Sequence, residues 1–250
     1  NLNLHEVGHI CIPLLPRDEQ QEIEQTVLSS AKLQETSTDF YASAQQLLES
    51  DLGLDKLTFQ KPVDYSARFS TVNWSSTFSA GRVDAQCFAP DALLYESWLQ
   101  ANTQCVSLGS LLKGSAKGRQ QIESAVGVTD YCSIKHITGR ELVGASKCCP
   151  QGDAPLAGVD DLLLAITGAT IGKIGIVKRY QRLAFSGDLL CLRIAESIDP
   201  HYLLLTLDHR IGQVQFNRWI TGSTNGHLAP RDVARVLVPR LSREAEAQIA

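Results

Sequence analysis

The sequence has no methionine at any of its 250 positions, no Cys-x-x-C pair and no run of about 18 apolar residues. The missing apolar run excludes a conventional membrane-spanning helix. No charged-then-apolar leader opens the chain either, so a cytoplasmic protein without a membrane partner is expected. The seven cysteines (Cys11, Cys87, Cys105, Cys132, Cys148, Cys149 and Cys191) are odd in number and scattered, and no histidine follows them at zinc-finger spacing. Reduced thiols buried as small apolar side chains are therefore expected, with neither a disulfide framework nor a metal site. Cys148 and Cys149 are adjacent, so an extended backbone points them to opposite sides. The six histidines (His5, His9, His136, His201, His209 and His227) are dispersed and no Gly-x-Ser-x-Gly elbow accompanies them, which leaves no legible nucleophilic triad. Asn1 stands inside what reads as a module, and with methionine absent the expectation is a piece of a longer protein.

What is present is ordinary in bulk: 44% hydrophobic and 20% charged residues, enough to bury a substantial core in one or two domains. The net charge of -4 hides a regional contrast. Residues 1–59 hold three basic residues (Arg17, Lys32, Lys56) against ten acidic, and residues 101–220 hold thirteen basic against ten acidic. A basic centre beside an acidic helix is compatible with a polyanionic partner for the centre.

The chain also repeats itself. At a constant offset of 226 positions, which sets His227 against Asn1, Val7 meets Val233, Ile12 meets Val238, Pro13 meets Pro239, Leu15 meets Leu241, Arg17 meets Arg243 and Ile23 meets Ile249. The closing segment of one module thus occurs twice, before and after a single intervening domain.

Local patterns predict an α+β protein. From Arg17 to Leu52 there is no glycine or proline, and Asp18, Glu19 and Glu22 sit where the helix dipole favours negative charge. A helix of that length spans about 54 Å. Its apolar positions (Ile23, Val27, Ala31, Phe40, Tyr41, Ala44, Leu47, Leu48, Leu52) form a stripe in need of a partner. A boundary is expected between Gly53 and Gln60. Further on, Leu162–Thr167 and Ile174–Lys178 read as two strands joined by a glycine-rich turn, and Leu189–Ile194 as another strand. Asp199–Ile220 reads as one helix capped by Asp199 with Pro200 in its first turn. Gly222–Gly226 reads as a loop, Leu228–Val236 as a short helix, and the following Val-Leu-Val-Pro-Arg-Leu as extended.

Two fragments look like catalytic signatures. Gly168-Ala-Thr-Ile-Gly172-Lys173 has one residue too few between its glycines for a phosphate-binding loop, and Ile174 stands where a magnesium-binding Ser or Thr belongs. A tight hairpin accounts for it better. Asp199-Pro-His-Tyr202 looks like the catalytic tetrapeptide of adenine methyltransferases, but it lacks the second proline and no glycine-rich cofactor loop precedes it. A methyltransferase fragment and a helical scaffold without nucleic-acid specificity are the alternative readings.

The order of segments resembles the DNA specificity subunit of type I restriction-modification enzymes. GRVDAQCFAP (Gly81–Pro90) is similar to the opening of that family's target recognition domain, and DDLLLAITGATIGKIGIV (Asp160–Val177) to its central hairpin. GSTNGHLAPRDVARVLVPRLSREAEAQIA (Gly222–Ala250) is similar to its loop, short helix and exit into a spacer helix, and LPRDEQQEIEQ (Leu15–Gln25) to the same exit. The segments Leu54–Ala80 and Ala145–Gly158 match nothing in the family. The resemblance implies the end of a preceding module at 1–16, a coiled-coil-like spacer helix at 17–53, a mixed α/β target recognition domain with a short-stranded sheet at 54–240, and the start of a second spacer at 241–250. The family usually carries two recognition domains, so one domain implies a fragment or a half-length subunit that dimerises through the 17–52 helix.

That resemblance also implies a non-catalytic role without cofactor. The chain would read double-stranded DNA and direct methyltransferase subunits, and through them a restriction subunit, to a target site. The helix would hold half-sites at most about one and a half duplex turns apart. Phosphate contacts are expected from Lys113, Lys117 and Arg119 in a flexible basic loop, from Lys135 and Arg140, and from Lys173 in the glycine turn. Base contacts are expected from Asn225 and His227.

Overall fold

The computed structural model describes residues 8–9, 11–57, 74–150, 152–222 and 224–250. Most of the repeat's first copy before Cys11, and the expected boundary beyond Leu57, lie outside the described residues. The chain forms two compact units, Asn1–Ser43 and Ala44–Ala250.

In chain order the elements are α1 (Arg17–Asp51), α2 (Trp74–Ala80), α3 (Pro90–Asn102), β1 (Gln104–Ser107), β2 (Leu112–Lys117), β3 (Thr129–Cys132), β4 (Ile137–Thr138), β5 (Glu141–Leu142), β6 (Ser146–Cys148), β7 (Leu156–Ala157), β8 (Leu162–Ala165), β9 (Ile174–Ile176), β10 (Leu183–Phe185), β11 (Leu189–Ile194), α4 (Pro200–Asp208), α5 (Arg210–Trp219), α6 (Pro230–Val233), β12 (Leu237–Arg240) and α7 (Arg243–Ile249). The architecture is α+β: a long N-terminal helix and short-stranded mixed sheets. Among the described residues no helix is long and apolar enough to cross a membrane.

The 35 residues of α1 span about 52 Å. Thr26, Thr36, Thr38 and Ser43 turn their hydroxyls onto the carbonyls four residues back. In the first unit Ile23, Val27, Leu28, Leu33 and Phe40 remain exposed. In the second unit the end of the same helix is buried at Leu48, and the Trp98 indole donates to Leu52 O at 3.1 Å. Gly53 in the left-handed region stops it.

Six strands run in the order β2-β11-β8-β9-β5-β4 and four in the order β6-β3-β10-β7, while β1 and β12 form a separate antiparallel ribbon. β8 and β11 are apolar at successive positions because both faces of their sheet are covered. Leu163, Ala165, Leu189 and Cys191 meet Cys132, Leu183 and Phe185 of the four-stranded sheet. Leu162, Leu164, Leu190 and Leu192 alternate to the other face, the side on which α4 packs against β9.

The expected hairpin is present, with β8 and β9 paired antiparallel, Leu162 opposite Ile176. The expected single helix over 199–220 is instead two. His209 is extended, with φ -64 and ψ 158, and its ring accepts from Ile211 N at 3.3 Å and pairs with Glu49 at 2.9 Å. Gly212 allows the tight corner, since a Cβ there would lie 2.4 Å from Leu207 O. The segment Lys113–Arg119 also differs from expectation. It is edge strand β2 over most of its length, and β11 supplies its hydrogen bonds. Both surviving copies of the repeat start a helix at the matching arginine, α1 at Arg17 and α7 at Arg243.

Candidate nucleic-acid interface

Helix α5 organises the site. It buries Ile211, Gln215, Phe216, Arg218 and Trp219, and its remaining side chains and termini hold three segments that are far apart in sequence. The Gln213 amide donates to Gly172 O at 3.0 Å and to Leu207 O at 2.9 Å, tying the β8–β9 turn to the helix. Gly172 has φ +92, a conformation that favours glycine, and a Cβ there would sit 2.4 Å from Gln213 Oε1 and displace that amide.

Beyond Trp219 the chain forms a closed loop. Thr221 N donates to His227 O at 2.9 Å and His227 N to Thr221 O at 2.7 Å, forming the loop's neck. Gly168 N donates to Gly226 O at 3.0 Å and Leu228 N to Ile166 O at 2.9 Å, so the distal leg is stitched to the β8–β9 turn. Asn225 is exposed, and His227 and Lys173 are half-buried. These three of the expected residues therefore belong to two loops in contact.

The third segment is Arg82–Cys87. Arg82 Nε and Nη2 donate to both oxygens of Asp84, each at 2.7 Å. Arg82 Nη1 and Nη2 also donate to Arg218 O at 3.3 Å and Ile220 O at 3.1 Å. The Gln86 amide donates to Asn217 O at 2.9 Å, and Arg218 Nε returns a bond to Cys87 O at 2.7 Å. The segment is thus a C-terminal cap for α5, supplied from outside the helix to its last carbonyls, of which Asn217 O also accepts from Ile220 N at 3.4 Å. The hydrogen bond from Arg82 holds the Asp84 carboxyl below its ordinary range. Sequence reasoning met these residues only as part of a motif. Arg-x-Asp spacing is the one local signal that could have suggested the fork pair, and nothing in the sequence points to carbonyls 136 and 138 residues away.

The other expected cations lie elsewhere. Lys113 and Lys117 are on β2, at one edge of the six-stranded sheet, and exposed Arg119 follows. Lys135 precedes β4 and Arg140 lies in the β4–β5 turn, at the opposite edge, four to five strand spacings or about 19–24 Å away. Lys113 pairs with Glu196 at 2.8 Å, Lys135 with Glu123 at 3.0 Å and Arg140 with Asp208 at 2.8 Å. Arg140 has φ 75 and its carbonyl accepts from Ile176 N, so it anchors the β4–β5 hairpin. Hydrogen bonds from Ser146 and then Lys135 hold Glu123 below the usual carboxylate range. Lys117, Arg119 and Lys173 form no ion pair among the described residues.

The tetrapeptide Asp199–Tyr202 is a helix start. Asp199 accepts from His201 N at 2.7 Å and Tyr202 N at 3.4 Å. Tyr202 is buried and its hydroxyl donates to Pro239 O at 2.9 Å. Burial pushes its phenol up, and the ring has no open face for a substrate base. Among the described residues no group of three or more His, Cys, Asp or Glu could hold a metal ion. What the loops do offer is an amide with donor and acceptor, an imidazole and an ammonium, a set suited to base edges and phosphates.

No family model and no curated protein matches the chain. Among solved structures it is similar to a chain described under complex assembly and conformational transition of the type I R-M system, at 16% identity and TM-score 0.49, covering 95% of this chain and 51% of that one. It is also similar to the HsdS subunit from Thermoanaerobacter tengcongensis, at 16% identity and TM-score 0.48, covering 95% and 50%. The type I restriction-modification S subunit from M. genitalium is similar at 14% identity and TM-score 0.43, covering 58% and 37%. The chain spans about half the length, or less, of these structures.

Proposed function

We propose that the chain reads a short sequence in double-stranded DNA and, without catalysing a reaction itself, directs methyltransferase subunits, and through them a restriction subunit, to that site. The observation that carries this reading is the convergence on α5. Three segments resembling motifs of a target recognition domain meet at that helix: Arg82–Cys87 and the β8–β9 turn dock on it from sequence-distant places, and the Thr221–His227 loop continues from its end. Two of them carry Asn225, His227 and Lys173 into adjoining loops. An Asn amide can pair with both edge groups of adenine in the major groove, which sets sequence choice, while lysines neutralise phosphates.

The two copies of the repeat support a pairing role for the helix spanning 17–52. Val238 and Ile249 of the second copy are buried, at 0% and 3% exposure, whereas the matching Ile12 and Ile23 are 79% and 51% exposed. An apolar segment of the same design therefore awaits a domain of the same kind, which a second copy of this chain would supply.

The test is selection from a randomised duplex pool by the purified chain at moderate salt. Enrichment of a short motif is expected, and its loss in the N225A/H227A double variant with unchanged thermal stability. Equal retention of all sequences, repeated in the presence of the methyltransferase subunit, would overturn the proposal.

A further inference from the structure

We infer that Arg82, locked by Asp84, is a positioning residue for sequence reading: it fixes the proximal leg of the Thr221–His227 loop by gripping the last carbonyls of α5. The inference rests on the function proposed above and goes beyond it by assigning a role to a segment that carries none of the expected DNA contacts.

The geometry is specific. A guanidinium has five N–H donors in a planar fork. Here two are spent on the Asp84 carboxylate, at 2.7 Å each, and the carboxylate is steadied in turn by Cys87 N at 3.1 Å. That pairing orients the remaining donors toward Arg218 O and Ile220 O. Only 16% of the Arg82 side chain is exposed, so most of it is covered. Ile220 O is the carbonyl of the peptide link into Thr221, whose N–H closes the loop neck onto His227 O. The distal leg is stitched to the sheet through Gly226 O and Leu228 N. The proximal leg is gripped by Arg82, with Gln86 one turn earlier at Asn217 O. A loop held at both legs presents Asn225 and His227 at one distance and angle, and bidentate base contacts demand such alignment.

Lysine at position 82 keeps the charge but has no planar fork, so it cannot hold Asp84 and the two carbonyls together. Asp84→Asn keeps Arg82 and removes the charge that aims it. The experiment compares the unmodified chain with R82K and D84N in three measurements. Backbone amide hydrogen exchange of the free protein is expected to speed up at Thr221 and His227 in both variants, with β8 and β11 unchanged. The ratio of affinities for the selected and a scrambled duplex is expected to fall about tenfold, roughly what one well-aligned base contact supplies. The slope of log affinity against log salt is expected to stay as in the unmodified chain, since no phosphate contact is removed.

Unchanged loop exchange in both variants would overturn the grip. A salt slope reduced by about 0.9 in R82Q, which removes the charge that lysine keeps, with the sequence preference retained would make Arg82 a phosphate contact instead. An unmodified chain that selects no sequence refutes the function proposed above and the reading role with it, whereas the exchange measurement still decides the grip by itself.

Discussion

Replacing Arg218 with methionine is expected to cost the unit Ala44–Ala250 about 3–5 kcal/mol, the range for breaking one side of a buried ion pair. Arg218 is 9% exposed along its side chain and its partner Glu96 is 19% exposed, so little solvent screens the pair. Its Nε–H also satisfies Cys87 O at 2.7 Å, and its guanidinium lies 4.9 Å from the Trp219 ring and 5.9 Å from Phe88. Methionine keeps much of the apolar stem, so the loss isolates the charge, one hydrogen bond and the ring contacts. Urea denaturation followed by tryptophan fluorescence measures it, and a fall in Tm of about 6–20 °C is the thermal equivalent for a domain of this size. In the double variant R218M/E96Q no charge is stranded, so part of the loss is regained, with a coupling of about 1–3 kcal/mol. A single-variant loss below about 1 kcal/mol, or double-variant additivity within about 0.5 kcal/mol, would refute the view that this pair fastens α5 to α3.

Under the proposed function, K117Q/R119Q is expected to lower the salt slope of DNA binding by up to about 1.8, or about 0.9 per phosphate released; K135Q, already paired with Glu123, is expected to lower it less, and equal effects would remove the distinction. Alkylation at pH 8 is expected to label the exposed Cys11 and Cys149 quickly in the native protein. Cys132, pushed up to about 12 by burial, and Cys191, raised further by burial, are expected to react only on unfolding; peptide mass mapping reads the order. Because Asp84 is held below its ordinary 3.8, its contribution to stability is complete above that value and is lost as pH falls through the depressed one. Urea melts from pH 6 to 3 are therefore expected to show a shallower acid decline in D84N than in the unmodified chain, and parallel declines would contradict the pairing.

The features legible in the sequence were those decided by neighbouring residues. α1 follows from an uninterrupted helix-forming run, the β8–β9 hairpin from two apolar strands around glycines, and the start of α4 from an Asp-Pro cap. The features decided by distant contacts were not legible. The corner at His209 is held by Glu49, 160 residues away, and no local signal marks it. β2 looked like a loop because an edge strand of Lys, Gly, Ser and Ala lacks apolar character, and its strand identity comes from pairing with β11. The four-stranded sheet consists of strands of two to four residues, too short for periodicity to register. Of the candidate site, the two loops that hold Lys173, Asn225 and His227 were legible from their glycines, whereas the cap at the end of α5 depends on contacts across most of the domain.

Four fastenings between α5 and the two neighbouring segments terminate on peptide oxygens: Arg82 on residues 218 and 220, Gln86 on residue 217, and Gln213 on residue 172. A peptide oxygen is the same whatever side chain its residue bears. Substitutions at Asn225 or His227 therefore leave every one of these attachments in place, and so do exchanges at other loop positions that tolerate the backbone conformation. Under the proposed function, such a design would separate inheritance of the scaffold from inheritance of what is read, so that a lineage could change its target by a few codon changes without having to refold the domain around the new reader.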